Sequence, residues 1–188
     1  MTFRGSKDII AAAAALVLVA VCGVGAQGPP PTEYEIKAAY LYTFGRFVEW
    51  PPRPSRNDAG FTICVLGNDP FGAALDSTLA NGVVRGRNVV ARRIAVPAEA
   101  PDCHVLFISA SEERRLPEIV EALDHRDVLT VSDIPQFASR GGMIQFVTAG
   151  KRVRFEINLP PARDAGLTMS SELLRVASVV RNTRPPGE

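Results

Sequence analysis

The sequence predicts a single α/β domain, with a mixed, mostly parallel β-sheet flanked by helices and a C-terminal antiparallel hairpin. In the middle of the chain, short apolar segments with the length of buried strands alternate with segments of helical spacing, which is typical of α/β proteins. Near the C-terminus, two strand-like segments are joined by a short glycine-containing connection, as in a hairpin. About 160 residues remain after a predicted leader, enough for one domain with its own core.

The first 26 residues have the parts of a bacterial export signal. Arg4 and Lys7 form a short positive region, and an apolar run from Ile9 to Val21 leads to small residues suited to cleavage. The run is shorter than the roughly 20 residues of a membrane-spanning helix. We therefore expect a signal peptide over residues 1–26, a mature domain over residues 27–188 and a periplasmic location. A permanent N-terminal anchor is the alternative.

The number of cysteines in the mature chain depends on whether this leader is removed. Cys22 could be lipidated, but the bulky Val21 before it fits a lipidation site poorly. Once Cys22 leaves with the leader, the mature chain keeps Cys64 and Cys103 in a compartment that oxidises thiols. We expect these two to form a disulfide, the alternative being two separate buried thiols.

Charge composition argues against nucleic acid as a partner. Without Arg4, Lys7 and Asp8 the chain has 19 basic and 19 acidic residues, and no block of like charge occurs. Nucleic-acid binding generally requires a basic surface. The sequence therefore favours other partners.

The first predicted element of the mature domain is a helix over residues 32–50, which Pro51 and Pro52 end. Its apolar residues lie on nearly every side, so the helix is either covered on all sides or leaves an aromatic face open for another protein. The residues proposed for such a face are Tyr34, Tyr42, Arg46, Phe47 and Trp50.

The remaining elements are predicted from the length of each apolar segment and from its periodicity. We predict buried strands over residues 61–66, 89–94, 104–108 and 128–131, helices over 71–79 and 112–123, and hairpin strands over 143–148 and 152–159. The second hairpin strand alternates between apolar and polar residues, which places it near a sheet edge. A last helix, capped by Ser170 or Ser171, is expected to direct Leu173, Leu174, Val176, Ala177 and Val180 towards the core.

Motifs for catalysis or cofactor binding are weak. Residues 67–72 lie between a strand and a helix but lack the Lys and Ser/Thr of a phosphate-binding loop. The chain has two histidines, and neither has a sequence-local partner for a catalytic triad; His104 is interpreted as a strand-end residue that meets solvent. We expect no enzymatic activity, no metal site and no cofactor.

One polar arrangement remains as a candidate ligand site. If the sheet is mainly parallel, its strands end at the same edge, where open α/β sheets usually bind ligands. The same residue types also serve as helix N-caps, so the alternative is a structural role. The candidate crevice consists of Asn68, Asp69, Ser109, Ser111, Ser132 and Asp133.

Several segments, in order along nearly the whole mature chain, resemble the YfiR family of periplasmic proteins. They are EIKAAYLYTFGRFVEWP (35–51), FTICVLGNDPFG (61–72), GRNV (86–89), CHVLFIS (103–109), VLTVSD (128–133), GMIQF (142–146), VRFEINL (153–159) and GLTMSS (166–171).

The resemblance implies a regulator that binds the periplasmic part of an inner-membrane diguanylate cyclase and holds it inactive, so that cyclic di-GMP and biofilm formation stay low. It also implies release by an outer-membrane lipoprotein, self-association as a homodimer and a disulfide between Cys64 and Cys103. Some relatives have a further cysteine pair that this chain lacks. A second hypothesis, from the strand-end crevice, is a periplasmic small-ligand sensor that serves a kinase or a transport system.

Overall fold

The computed structural model describes residues 30–52, 60–150 and 152–182, and the residues from Pro31 onward belong to one compact unit. The predicted leader lies outside the described residues. The helices are α1 (Glu33–Phe47), α2 (Ala73–Leu79), α3 (Leu116–Ala122), α4 (Leu159–Asp164) and α5 (Ser171–Val176). The strands are β1 (Val48–Glu49), β2 (Phe61–Leu66), β3 (Val83–Val84), β4 (Arg87–Ile94), β5 (Val105–Ile108), β6 (Leu129–Ser132), β7 (Ile144–Ala149), β8 (Arg152–Asn158), β9 (Thr168–Met169) and β10 (Val179–Arg181). Short 3₁₀ helices span Pro97–Asp102, Ala110–Arg115 and Phe137–Arg140.

Eight strands form one sheet in the order β10-β8-β7-β6-β5-β2-β4-β3. The central strands β7, β6, β5, β2 and β4 are parallel to their neighbours within this set, whereas β8 pairs with β7 as an antiparallel hairpin. This confirms the predicted mostly parallel sheet with its C-terminal hairpin. From β2 the chain continues to β4 on one side and later to β5 on the other, so the ends of β2 and β5 form the point at which strand order reverses.

Apolar residues cover both faces of this sheet. Every residue of β2 is buried: Phe61, Ile63 and Val65 join one cluster with α1 and α2, while Cys64 and Leu66 join a second cluster with α3. Successive side chains of a strand point to opposite faces. The uninterrupted apolar content of β2 is therefore that of a strand covered on both sides.

Helix α1 begins as predicted but ends three residues before Trp50. Thr32 and Glu35 form a capping box, which satisfies backbone groups of the first turn. At the other end, Val48 is extended and pairs with Met169 in the small antiparallel sheet β1–β9. Pairing with a distant strand thus ends the helix before the prolines do.

The C-terminal helix differs more from its prediction. Ser170 caps α5 through the Leu173 N–H, and Leu173 is buried as expected. The helix then ends at Val176, and the chain extends into the edge strand β10. Val176 is 64% exposed, Val179 39% and Val180 38%, so the prediction that these residues face the core was wrong for Val176 and Val180.

Candidate functional site

The disulfide between Cys64 and Cys103 is present, with a Cα–Cα distance of 5.9 Å. Cys64 lies within β2, and Cys103 follows the 3₁₀ helix that leads towards β5. Both side chains are fully buried. The bond therefore joins the crossover between β4 and β5 to the centre of the sheet, and the prediction is confirmed.

The first part of the predicted crevice lies at the carboxyl ends of β2 and β5. The Asn68 N–H donates to Ser111 Oγ at 3.0 Å, and the Ser111 N–H donates to Ser109 Oγ at 3.4 Å. Gly67 has a φ of +87°, and a Cβ at this position would lie 2.5 Å from Ser111 Oγ. The turn thus brings the Asn68 backbone and the two serine side chains together and uses them for its own hydrogen bonds.

Asp69, the next crevice residue, is held by an arginine. Its Oδ1 accepts the Phe71 N–H at 2.8 Å and its Oδ2 accepts Arg93 Nε at 2.8 Å. Arg93 also donates to both carboxylate oxygens of Asp76, at 2.7 and 2.8 Å. The hydrogen bonds with Asp76 and then Asp69 raise the pKa of Arg93, and the same guanidinium lowers the pKa of Asp76. This corner of the crevice therefore has its charges paired.

The third part of the crevice, at the end of β6, contains a buried lysine that sequence reasoning missed. Lys37 Nζ lies 2.6 Å from Asp133 Oδ2 and 2.6 Å from Glu33 Oε1, and its side chain is 3% exposed. Tyr34 Oη donates to the same Asp133 oxygen at 3.1 Å. Ser132 Oγ instead donates to the Ile108 carbonyl and accepts the Ile134 N–H, which fixes the strand end.

Electrostatics of this cluster favour the ion pairs. Burial opposes the charge on Lys37, but its hydrogen bonds with Asp133 and Glu33 outweigh burial, so the pKa of Lys37 is raised. The hydrogen bond with Lys37 lowers the pKa of Glu33. Burial, followed by the nearby charge of Asp133, raises the pKa of Tyr34. At neutral pH the cluster thus pairs one ammonium with two carboxylates. The sequence signal that could have identified this cluster was Lys37, a charged residue within the mostly apolar segment 36–44.

The predicted aromatic face of α1 is divided among different neighbours. The Tyr34 ring packs edge-on against Phe71, and Tyr42 Oη donates to the Val83 carbonyl at 3.1 Å. Arg46 is exposed, whereas Phe47 is partly buried against the core. These residues thus contact different parts of the domain, and their role in partner binding stays a prediction.

Trp50 and His104 form an aromatic cluster at the opposite, amino-terminal edge of the parallel strands. His104 is 2% exposed, so its interpretation as a solvent-facing residue was wrong. Its ring stacks on Phe61 at 4.4 Å, and Nδ1 accepts the Thr62 N–H at 3.1 Å. Trp50 packs edge-on against Phe61 and donates Nε1–H to the His104 carbonyl at 3.2 Å. Trp50 therefore covers the start of β2 and β5.

A cleft of about 700 Å³ lies between α3 and α4. Its walls include Leu116, Val120 and Pro161, and its polar groups include Asp124 and Arg140. This size is within the range of small-molecule sites. Sequence reasoning did not find the cleft, because it lies between helices that are distant in the chain.

Among the described ranges, no group of three or more His, Cys, Asp and Glu side chains is arranged to hold a metal ion. Within the same residues, none of the helices has the length and apolar character needed to cross a membrane. The fold and the site thus define a disulfide-linked, doubly wound α/β domain whose strand-end polar groups bind one another.

The chain belongs to the YfiR/HmsC-like family, whose profile matches residues 34–178. This confirms the resemblance found in the sequence. At the family level these proteins are periplasmic regulators associated with diguanylate cyclases.

Two solved structures are similar in fold. A conserved domain protein from Vibrio cholerae O1 biovar El Tor has a TM-score of 0.53 at 12% identity, over 80% of this chain and 60% of that one. An ABC domain from Streptococcus pneumonia, solved in complex with L-Trp, has a TM-score of 0.51 at 12% identity, over 76% of this chain. The match spans 60% of each of those chains, and at this identity the likeness concerns the fold alone.

Proposed function

We propose that this chain is an exported periplasmic protein that represses a membrane-bound diguanylate cyclase by direct contact with the cyclase's periplasmic region. Repression lowers cyclic di-GMP and biofilm formation. Family membership over residues 34–178 is the observation that carries the proposal. The buried Cys64–Cys103 disulfide supports it, since such bonds persist in oxidising compartments. The protein acts as a regulator and not as an enzyme.

Repression by contact sets a thermodynamic requirement. A bound protein shifts the cyclase towards its inactive conformation only if it binds that conformation more tightly than the active one. Changing a two-state ratio from 1:99 to 99:1 takes a difference in affinity of roughly 10⁴. The regulator therefore needs an apolar contact surface with well-packed anchors.

Two surfaces offer such anchors. One contains the half-buried rings of Phe47 and Trp50, from the sequence prediction. The other is at the C-terminal edge of the sheet, where Val179 and Val180 are exposed on the edge strand β10. Edge strands present unpaired backbone groups to which a partner strand can add. Replacing Val180 with an acidic residue should weaken binding at the second surface without disturbing the core, because Val180 is exposed.

Cyclic di-GMP measured in a deletion strain tests the proposal. Deletion should raise the cyclic di-GMP level, and expression of the exported chain in the deletion strain should lower it again. The matched control is the chain expressed from Gln27, which lacks the leader and should not restore repression from the cytoplasm. Unchanged cyclic di-GMP after deletion would exclude repression of a cyclase. If deletion does raise cyclic di-GMP, recovery of a cyclase from membranes with the purified domain would identify the partner.

The α3–α4 cleft favours a second candidate function, a small-ligand sensor for a kinase or a transport system. The cleft combines apolar walls with Arg140 and Asp124, so a small polar molecule with an apolar part fits its chemistry. A ligand at 100 times its Kd raises stability by about 2.7 kcal/mol. A ligand-dependent increase in Tm, with no cyclase recovered from membranes, would favour this function over repression.

A further inference from the structure

The cleft between α3 and α4 has an uneven distribution of charge. Three carboxylates line it, from Glu121, Asp124 and Asp164, together with the guanidinium of Arg140. Arg140 is directed to Glu113, which is not part of the lining: Nη2 donates to the Glu113 carbonyl at 3.4 Å, and Nη1 lies 3.6 Å from its carboxylate. A carboxylate outside the cleft thus already pairs with Arg140, and the cleft itself is acidic.

Two of these carboxylates lie at the C-terminal end of α3, three positions apart in the chain. Asp124 Oδ1 accepts the His125 N–H at 3.0 Å, and its Oδ2 lies 3.3 Å from His125 Nε2. The Glu121 side chain is exposed and has no hydrogen bond or ion pair within the described part of the chain. The carbonyl groups at the end of a helix also favour a positive charge. This wall of the cleft therefore attracts cations and repels anions.

A buried amide oxygen in the same lining is independent of these charges. Asn158 is 6% exposed, and its Nδ2 donates to the carbonyls of Ala138 and Gly142 at 2.8 and 3.2 Å. Asn158 is also the N-cap of α4, yet its side chain makes no capping hydrogen bond. An N-cap oxygen accepts the N–H of the second or third helical residue, and here these are Pro160 and Pro161, which have no N–H. Among the described residues, Asn158 Oδ1 is thus an acceptor without a donor, and such a buried group is stabilised by a ligand that donates to it.

The remaining lining is mostly apolar. Leu116, Pro117 and Val120 line the cleft from α3, and Pro160 and Pro161 line it from α4. Leu116 is fully buried, so it forms the deeper part of this apolar wall. A ligand pocket typically combines such a wall with a few polar groups that fix orientation. In this cleft those polar groups are mainly acceptors, so the matching ligand has an apolar part and several donors.

We propose that the α3–α4 cleft binds a small organic amine, with its ammonium between Asn158 Oδ1 and the carboxylates of Glu121 and Asp124. Its apolar part packs against Val120 and Pro161. An ammonium has three N–H donors, enough for these three acceptors. A carboxylate or phosphate in the same place would meet acceptors and like charge. Such an amine would be the signal molecule of the small-ligand sensor described above, and its assignment rests on that second candidate function.

Three probes with the same apolar part and different head groups test this assignment: phenylbutylamine, phenylbutanol and phenylbutyrate. Binding is measured by NMR titration of the isotope-labelled chain from Gln27 onward. The amine should bind at least about tenfold more tightly than phenylbutyrate, because the carboxylate of the latter meets like charges. Added salt should weaken amine binding, since it screens exposed charges. The backbone signal of Gly141 and the side-chain amide signals of Asn158 should shift as the amine is added.

A charge reversal within the cleft provides the matched variant. Glu121→Arg should weaken amine binding at least about tenfold and shift the preference towards phenylbutyrate. Glu118→Arg is the control, since Glu118 is exposed on the same helix but does not line the cleft, and its Kd for the amine should be unchanged. The NMR spectrum also shows directly whether each variant is folded.

Four results would overturn the proposal: no amine binding at millimolar concentration, equal or tighter binding of phenylbutanol or phenylbutyrate, shifts confined to residues outside the cleft, or a Glu121→Arg variant that binds like the control. The sensor function itself is tested separately. If the amine fails but another ligand raises Tm, the ligand class is wrong and the sensor function stands. If the amine binds as expected while a cyclase is recovered from membranes, the cleft assignment stands beside repression.

Discussion

Reduction of the Cys64–Cys103 bond should remove much of the stability of the domain. The cysteines are 39 residues apart in the chain, and for a loop of that length chain entropy gives about 4 kcal/mol at 25 °C. Both cysteines are buried, and reduction keeps both sulfur atoms in the core, so it creates no cavity, although the two sulfurs must move apart from bonding distance. Reduction therefore tests the cross-link together with a small adjustment of packing, whereas a Cys64→Ala/Cys103→Ala variant adds the loss of buried sulfur.

Urea unfolding with and without reductant is the suitable measurement. With an m-value of about 2 kcal/mol/M, a loss of about 4 kcal/mol lowers the unfolding midpoint by about 2 M. The double alanine variant should unfold at or below the midpoint of the reduced protein. A midpoint lowered by less than about 0.5 M on reduction would refute the reasoning, because the bond would then contribute well under the usual 2 kcal/mol or more.

Three single substitutions, one of them also combined with a second change, test the packing of the domain by urea unfolding. Lys37→Met should cost about 3 kcal/mol, because it leaves the mostly buried Asp133 carboxylate without its ammonium, and adding Asp133→Asn should recover part of this loss. Folding raises the pKa of Lys37, so the stability that this lysine contributes to the folded domain is fully present below pH 10.5 and is lost as pH rises through the folded-state pKa. The Lys37→Met variant should lack this contribution of residue 37 to the loss of stability at alkaline pH. Gly142→Ala should cost about 2 kcal/mol, since the added Cβ would lie 2.1 Å from the buried Phe137 ring, and a change below about 0.5 kcal/mol would contradict the packing. Trp50→Ala should cost about 2 kcal/mol while unfolding stays cooperative; an unchanged midpoint would mean that the ring is free for a partner.

Elements dominated by local sequence were predicted well. Strand β2 was predicted residue for residue, because its six apolar or small residues are flanked by Gly60 and Gly67. The positions of Asn68 and Ser111 beside each other also followed from sequence, since parallel strands end at one edge. In these cases the signal lies within one strand and the turn after it.

Features set by distant partners were not predicted. Lys37 and Asp133 are 96 residues apart, and nothing in either segment identifies the other as its ion-pair partner. The end of α1 depends on pairing between Val48 and Met169. His104 was misplaced because Trp50 and Phe61 cover it, and a strand-end position alone contains no information about such a cover. Tertiary contacts override local preference at each of these positions.

Helix α1 was predicted either to be covered on all sides or to leave an aromatic face open for another protein, and its contacts show how firmly the domain holds it. Along its length it is fixed to the domain three times: Lys37 pairs with Asp133, Gly45 lies where any Cβ would be 2.8 Å from the Phe61 ring, and the chain after it pairs through Val48. A helix held at three points has little conformational freedom left to lose when another protein binds its exposed side, so that side is already arranged for contact. Loosening the first of these points with Lys37→Met should therefore weaken recovery of a membrane partner that binds this helix, as well as stability, although residue 37 lies on the buried side of the helix.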